Sequence, residues 1–208
     1  MTLIKNFLAI IGLHSKVLFF ISLFAWLFKV VKSRNVRVAN LPRINLAGSI
    51  EIASNTRIGR DVVLNVGENG FLRIEEGVSI GNRTKITVPP NGTVSIGKYS
   101  RLNDNCMVVG RVTIGPNIVI ASGVQLISNS HQLFKFNMSV DDADKTYGMI
   151  AKELKIGKGV FIGANAMLFG GCDIQEFCTI SAGAVISNKV FPANQIIYSS
   201  SRNEMKRK

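Results

Sequence analysis

The chain contains two histidines and three cysteines, which narrows the chemistry it can perform. His14 sits in an apolar N-terminal run, whereas His131 opens the stretch ISNSHQLFKFNMSVDDADKTYGMIAKELK between Ile127 and Lys155. Two histidines cannot build a three-histidine zinc site. Cys106, Cys172 and Cys178 have neither CxxC spacing nor the even count of a disulfide framework. No metal site is expected. An imidazole, with an ordinary pKa of about 6.5, suits the removal of a proton from a hydroxyl near neutral pH. A lone histidine is otherwise a surface or structural residue. Asp141, Asp142 and Asp144 follow in the same stretch; such acids orient a histidine or a ligand, or form a solvated charge run.

The element that must position His131 shows as a six-residue period. Counting by six gives Leu46, Ile52, Ile58 and Leu64, then Ile74, Ile80 and Ile86 after a four-residue insertion. A second insertion, around Pro89-Pro90-Asn91-Gly92, shifts the series to Ile96, Leu102, Val108, Ile114, Ile120 and Leu126. Past the His131 stretch come Ile156, Ile162, Leu168, Ile174, Ile180 and Ile186. Neither a helix nor a simple strand yields a period of six. Glycine follows the aliphatic residue at Gly59, Gly81, Gly97, Gly115, Gly157 and Gly163, where a corner needs permissive backbone. Four residues after the aliphatic the side chain is small or β-branched: Val62, Thr84, Ser100, Val112, Val124, Val160, Ala166 and Ala184. The three cysteines share that position, which makes them compact core residues. The pattern describes short strands joined by tight turns, stacked so that the aliphatic residues form ladders inside a narrow prism.

On these residues the chain, from about Leu46 to Phe191, resembles the hexapeptide-repeat acyltransferases, and among them the sugar O-acetyltransferases that act on bacterial surface polysaccharides. The resemblance implies an all-β fold, a left-handed parallel β-helix with three hexapeptides per triangular turn. It also implies a homotrimer with active sites between neighbouring prisms. The extended loop interrupting the helix, 127–155, then becomes the site-bearing segment, and His131, placed as the family places its catalytic histidine, the general base. Transfer is expected to be direct, from acetyl-CoA to a sugar hydroxyl, since no Ser or Cys forms a nucleophile motif beside His131.

Asn103, in Leu102-Asn-Asp-Asn-Cys106, inherits by resemblance a contact to the acceptor or the acetyl group; the alternative is a corner residue satisfying local backbone. Val160-Phe-Ile-Gly-Ala-Asn-Ala-Met-Leu168 resembles the stretch that lines the pantetheine groove, with Phe161 where the family usually has Trp. Gly163, Ala164 and Ala182 would serve the pantetheine amides. Ser187, Asn188 and Lys189 would lie toward the nucleotide. In place of the family's usual Gly-x-Pro-Ala turn the chain reads Ile197-Tyr-Ser-Ser-Ser-Arg202, which leaves the adenine end undefined.

Charge divides the chain further. Of the net +12, residues 1–43 carry +7 with no acid and residues 202–208 carry +3. Basic ends on a nearly neutral body argue against a nucleic-acid reader and suit an anionic membrane surface or simple solubilisation. Phe7 to Val31 is apolar but interrupted at His14-Ser15-Lys16, and Lys29-Val-Val-Lys32 follows in place of a cleavage site. Residues 1–43 are therefore read as a helical segment at the membrane interface, or as a helix packed on the protein itself or its trimer partners. Residues 44–191 form the catalytic domain and 192–208 a basic tail. The expected location is cytoplasmic, peripheral on the inner face of the membrane. Two other functions fit the same features. One is an N-acyltransferase acting on an amino sugar, and the other a non-catalytic scaffold, for which the irregular outward residues are poorly suited.

Overall fold

The computed structural model describes residues 35–39, 42–131, 138–148 and 150–199. The apolar run Phe7 to Val31 and the tail from residue 200 onward lie outside them. Three parallel sheets wind around one core. Face 1 runs from Arg37–Val38 through Arg57–Ile58, Ser79–Ile80, Arg101–Leu102, Val119–Ile120, Phe161–Ile162 and Thr179–Ile180 to Ile196–Ile197. Face 2 runs from Arg43–Leu46 to Val185–Ile186, and face 3 from Ser49–Ile52 to Val190–Phe191. Every pairing within the three faces is parallel and joins one coil to the next, which is the three-sided β-helix expected. The coil reaches beyond the boundaries 44–191, since Arg37–Val38 and Ile196–Ile197 are both strands of face 1.

Burial follows the hexapeptide period. Ile58, Ile80, Leu102, Ile120, Ile162, Ile180 and Ile197 form one inward ladder, each no more than 4 % exposed. The small position is also inward: Thr84, Ser100, Ala166 and Cys106, Cys172 and Cys178 are all buried. Burial pushes the Cys106 and Cys172 thiols up from their ordinary range. The cysteines are core residues.

Two details correct the sequence reading: the register of Leu46 and the cause of the corner glycines. The four-residue insertions are accommodated within the column. They lengthen the strands of faces 2 and 3 in adjacent coils, so Val66 stacks on Val88 and Leu72 on Val94, all buried. Leu46 belongs to this added ladder, opposite Val66, and Ile44 is the residue aligned with Leu64. The corner glycines owe their place to close approach of successive coils. A Cβ on Gly81 would lie 2.4 Å from the Asn103 carbonyl carbon, and one on Gly97 would lie 2.5 Å from that of Gly115. Left-handed backbone falls two residues later, at Asp61, Arg83, Asn105, Asn117 and Asn165 among others, with φ of 55–58°.

Candidate active site

The coil holds Ile127, which pairs with Val109 and Phe169, and also Leu154 and Lys155, which pair with Val112 and Thr113. The excursion is thus confined to residues 128–153. It leaves and returns at the edge between faces 2 and 3. There Asn129–Ser130 and Ile150–Ala151 form a two-stranded antiparallel neck. Buried Ser128 anchors its root: its N–H donates to Val109, and its Oγ accepts the Arg111 N–H at 2.5 Å. The next coil supports it from below. A Cβ on Gly170 would meet the carbonyl oxygens of Ser128 and Lys152 at 2.5 Å. His131 follows the neck immediately, so its backbone starts from a fixed point.

Among its described residues the excursion carries one helix, α1 (Val140–Tyr147). Ser139 caps it, its Oγ accepting the Asp142 N–H at 3.2 Å and donating to the Asp142 carboxylate at 2.6 Å. Asp141 and Asp142 suit the positive end of the helix dipole, and Gly148 ends it with φ 70°. Sequence reading treated this region as loop, although Ser139-x-x-Asp142 and Gly148 are start and stop signals.

α1 delivers Asp144 to the imidazole. Asp144 Oδ2 lies 2.6 Å from His131 Nδ1, a short charge-assisted contact. An ionised carboxylate only accepts hydrogen bonds, so Nδ1 carries the proton and the Nε2 lone pair is left free. The side chain of His131 is 52 % exposed and that of Asp144 25 %. The pair is therefore reachable while its inner partner is held. Of the three acids, Asp144 takes the orienting role and Asp142 serves the helix cap.

The other residues singled out by sequence divide between two edges. Ser187, Asn188 and Lys189 stand exposed on the 2–3 edge, below the neck. The Asn188 side-chain oxygen is engaged there by Lys152 Nζ at 2.9 Å, and Lys189 Nζ sits 5.1 Å from the centre of the Phe191 ring. Asn103, Gly163, Ala164 and Ala182 occupy the edge between faces 1 and 2. Gly163 stacks directly on Ala182, whose nitrogen would be 2.4 Å from an added Cβ. The Ala164 carbonyl already accepts the Gly183 N–H, while the Asn103 N–H donates to the Ile120 carbonyl and the Asn103 carbonyl accepts the Thr84 hydroxyl. Face 2 separates the two groups, so one chain alone does not bring them together. The fold is nonetheless unambiguous. The chain is a hexapeptide-repeat β-helix protein.

No protein-family model matches this hexapeptide-repeat chain. Among curated proteins it is similar to the bifunctional protein GlmU of Xylella fastidiosa (strain 9a5c), 28 % identical with 86 % of this chain and 45 % of that protein covered. A GlmU of Stenotrophomonas maltophilia (strain K279a) is 26 % identical, with 86 % and 46 % covered. The chain therefore spans about half the length of the curated relatives it matches. Among solved structures, the polysialic acid O-acetyltransferase OatWY superposes with a TM-score of 0.55 at 18 % identity, over 76 % of each chain. That likeness is one of fold.

Proposed function

We propose that this hexapeptide-repeat protein is an acetyl-CoA-dependent O-acetyltransferase. Its acceptor is a sugar hydroxyl of a bacterial surface polysaccharide or its precursor. The observation that carries the proposal is the His131–Asp144 pair at 2.6 Å, presented half-exposed on an excursion from a rigid column. With Nδ1–H fixed on the carboxylate, Nε2 takes the proton of an acceptor hydroxyl as its oxygen attacks the thioester carbon. Asp144 steadies the imidazolium that forms, and the proton then leaves with the departing thiolate. The fold shared with a polysialic acid O-acetyltransferase supports a sugar acceptor.

The donor fits the edge between faces 1 and 2. Acetyl-CoA supplies the acyl group as a thioester, and the exposed backbone of Ala182 beside Ala164 offers amide groups for the pantetheine chain. Phe161, 44 % exposed on face 1 next to that edge, provides an apolar wall. Gly163, Ala164 and Ala182 lie on a different edge from His131, Ser187, Asn188 and Lys189, so the reading calls for a neighbouring chain in a homotrimer. Face 2 supports such packing, turning Met107, Val109, Ile127, Met167 and Phe169 outward and half-buried. The apolar, basic character of residues 1–34 supports a position on the inner face of the cytoplasmic membrane. Among the described residues no helix is long and apolar enough to cross a membrane.

The test is acetyl transfer from acetyl-CoA to defined glycans, with the new ester mapped on the product. His131→Ala should lower kcat by about 10²–10⁴-fold, the usual share of a general base, and leave the oligomer unchanged by light scattering. Near-wild-type turnover in that variant would refute the assignment. Product acetylated on nitrogen would make it an amino-sugar N-acyltransferase.

A further inference from the structure

Charge on the described column is sorted by position, with Arg37 and Arg43 of the basic N-terminal stretch joining cations of the nearly neutral segment that follows. Along face 1 the outward residues of successive coils read Arg37, Arg57, Ser79 and Arg101, then Val119, Phe161, Thr179 and Ile196. The arginines are confined to the first four strands. Arg60 and Arg83 add to the adjoining edge, and Arg43 and Lys85 to the near margin of face 2. All seven cations are exposed. The acids interspersed there are Asp61 and Asp104, which leaves a net +5. Asp104 is already engaged, because its carboxylate accepts the Asn82 N–H at 2.8 Å and the Asn82 amide at 3.2 Å. Glu75 and Glu76 stand on the opposite edge of face 1, beside Lys98, where they take hydrogen bonds from the Asn55 amide and the Lys98 N–H, and Glu51 lies on face 3.

Arg37, Arg57 and Arg101 form no ion pair among the described residues. Arg37 and Arg57 are direct register neighbours, about 4.8 Å apart along the sheet. Like charges so placed are destabilising unless anions lie against them. Charge on an edge strand also blocks sheet extension, yet that accounts for Arg37 alone. Arg57 and Arg101 sit on strands paired on both sides.

We infer that this N-terminal half of face 1, with its edge, is the surface on which the column lies against an anionic lipid bilayer. Two observations select lipid over another polyanion. The chain enters the described structure at Asn35, beside Arg37, and the preceding residues are apolar with Lys5, Lys16, Lys29, Lys32, Arg34 and no acid. The cations also spread across a face and its margin, matching a plane rather than a single polymer strand. The inference rests on the membrane reading above. It adds that the folded column, not only the N-terminal segment, makes the contact.

The test is co-sedimentation of the full chain with vesicles of phosphatidylcholine alone or mixed with phosphatidylglycerol. Each cation near such a surface contributes about fivefold to binding, so Arg57→Gln/Arg101→Gln should bind the anionic vesicles about 25-fold more weakly. Arg73→Gln/Lys155→Gln on face 3, with the same change in net charge, should match wild type. Circular dichroism verifies that both variants are folded. Binding of the first variant at wild-type strength, or equal loss in the face 3 control, overturns the inference. Equal wild-type binding to both vesicle types overturns it too but leaves the membrane reading standing, whereas binding to neither removes both. Loss of retention on an immobilised anionic polysaccharide, with vesicle binding intact, would reassign the surface to a glycan.

Discussion

Replacing Asp144 with Ala isolates the part of the mechanism that the structure makes most specific. Asp144 Oδ2 holds His131 Nδ1 at 2.6 Å, while Oδ1 is enclosed with no hydrogen-bond partner among the described residues. The substitution thus deletes one hydrogen bond and strands no other protein group. A hydrogen bond to a charged partner is worth about 1.5–3 kcal/mol. With the histidine 52 % exposed, water screens the interaction and the lower end applies, about 1.5–2 kcal/mol. If that stabilisation is realised on the imidazolium in the transition state, kcat falls about 10- to 30-fold. Asp144→Asn should be no better than Asp144→Ala, because an amide N–H facing Nδ1 favours the tautomer with the proton on Nε2. Single-turnover transfer from acetyl-CoA, with the ester quantified by mass spectrometry, reads the chemical step directly. Residues that act as a unit are non-additive, so adding Asp144→Ala to His131→Ala should lower the rate by no more than about twofold further. Wild-type kcat in Asp144→Ala, or a double variant well below His131→Ala, would refute the paired role.

The remaining predictions concern the column. Ile120 is wholly buried between Leu102 and Ile162 in its ladder, so Ile120→Ala should cost about 2–5 kcal/mol of stability; a urea midpoint within error of wild type would contradict that packing. The Asn82 backbone N–H and amide, aided by Arg83 and Arg60, hold the Asp104 carboxyl below its ordinary value of 3.8. A lowered folded value adds stability above the ordinary one, and that stability is lost as pH falls toward the folded value. The wild-type melting temperature should accordingly drop more steeply than that of Asp104→Asn between about pH 5 and 3, and parallel curves would exclude the linkage.

Much of the column was legible because its physics is periodic. An inward aliphatic residue every sixth position and a small residue four later are demands of the coil's cross-section, and both appear in the letters of the sequence. The register of Leu46 was misread for a related reason: counting by six aligns it with Leu64, and only the pairing between coils shows Ile44 opposite Leu64 and Leu46 opposite Val66. The corner glycines were noticed for the wrong cause, since close approach to the next coil is a relation between distant residues. His131 was visible as an outlier in the pattern. Its partner was not, because three acids within four positions are equivalent until the helix opened by Ser139 turns Asp144 toward the ring. The arginine column was hidden because residues 20 or 22 apart become neighbours, which brings Arg37 of the basic N-terminal stretch beside Arg57 of the nearly neutral segment.

The antiparallel neck at Asn129–Ser130 and Ile150–Ala151 has an evolutionary consequence. Because the strands on either side of it resume the same coil, whatever is spliced between the two sides leaves the stacking below untouched. The excursion can therefore be lengthened, shortened or exchanged without renegotiating the scaffold. Acceptor preference, insofar as it resides in those residues, is free to diverge faster than the architecture that carries it.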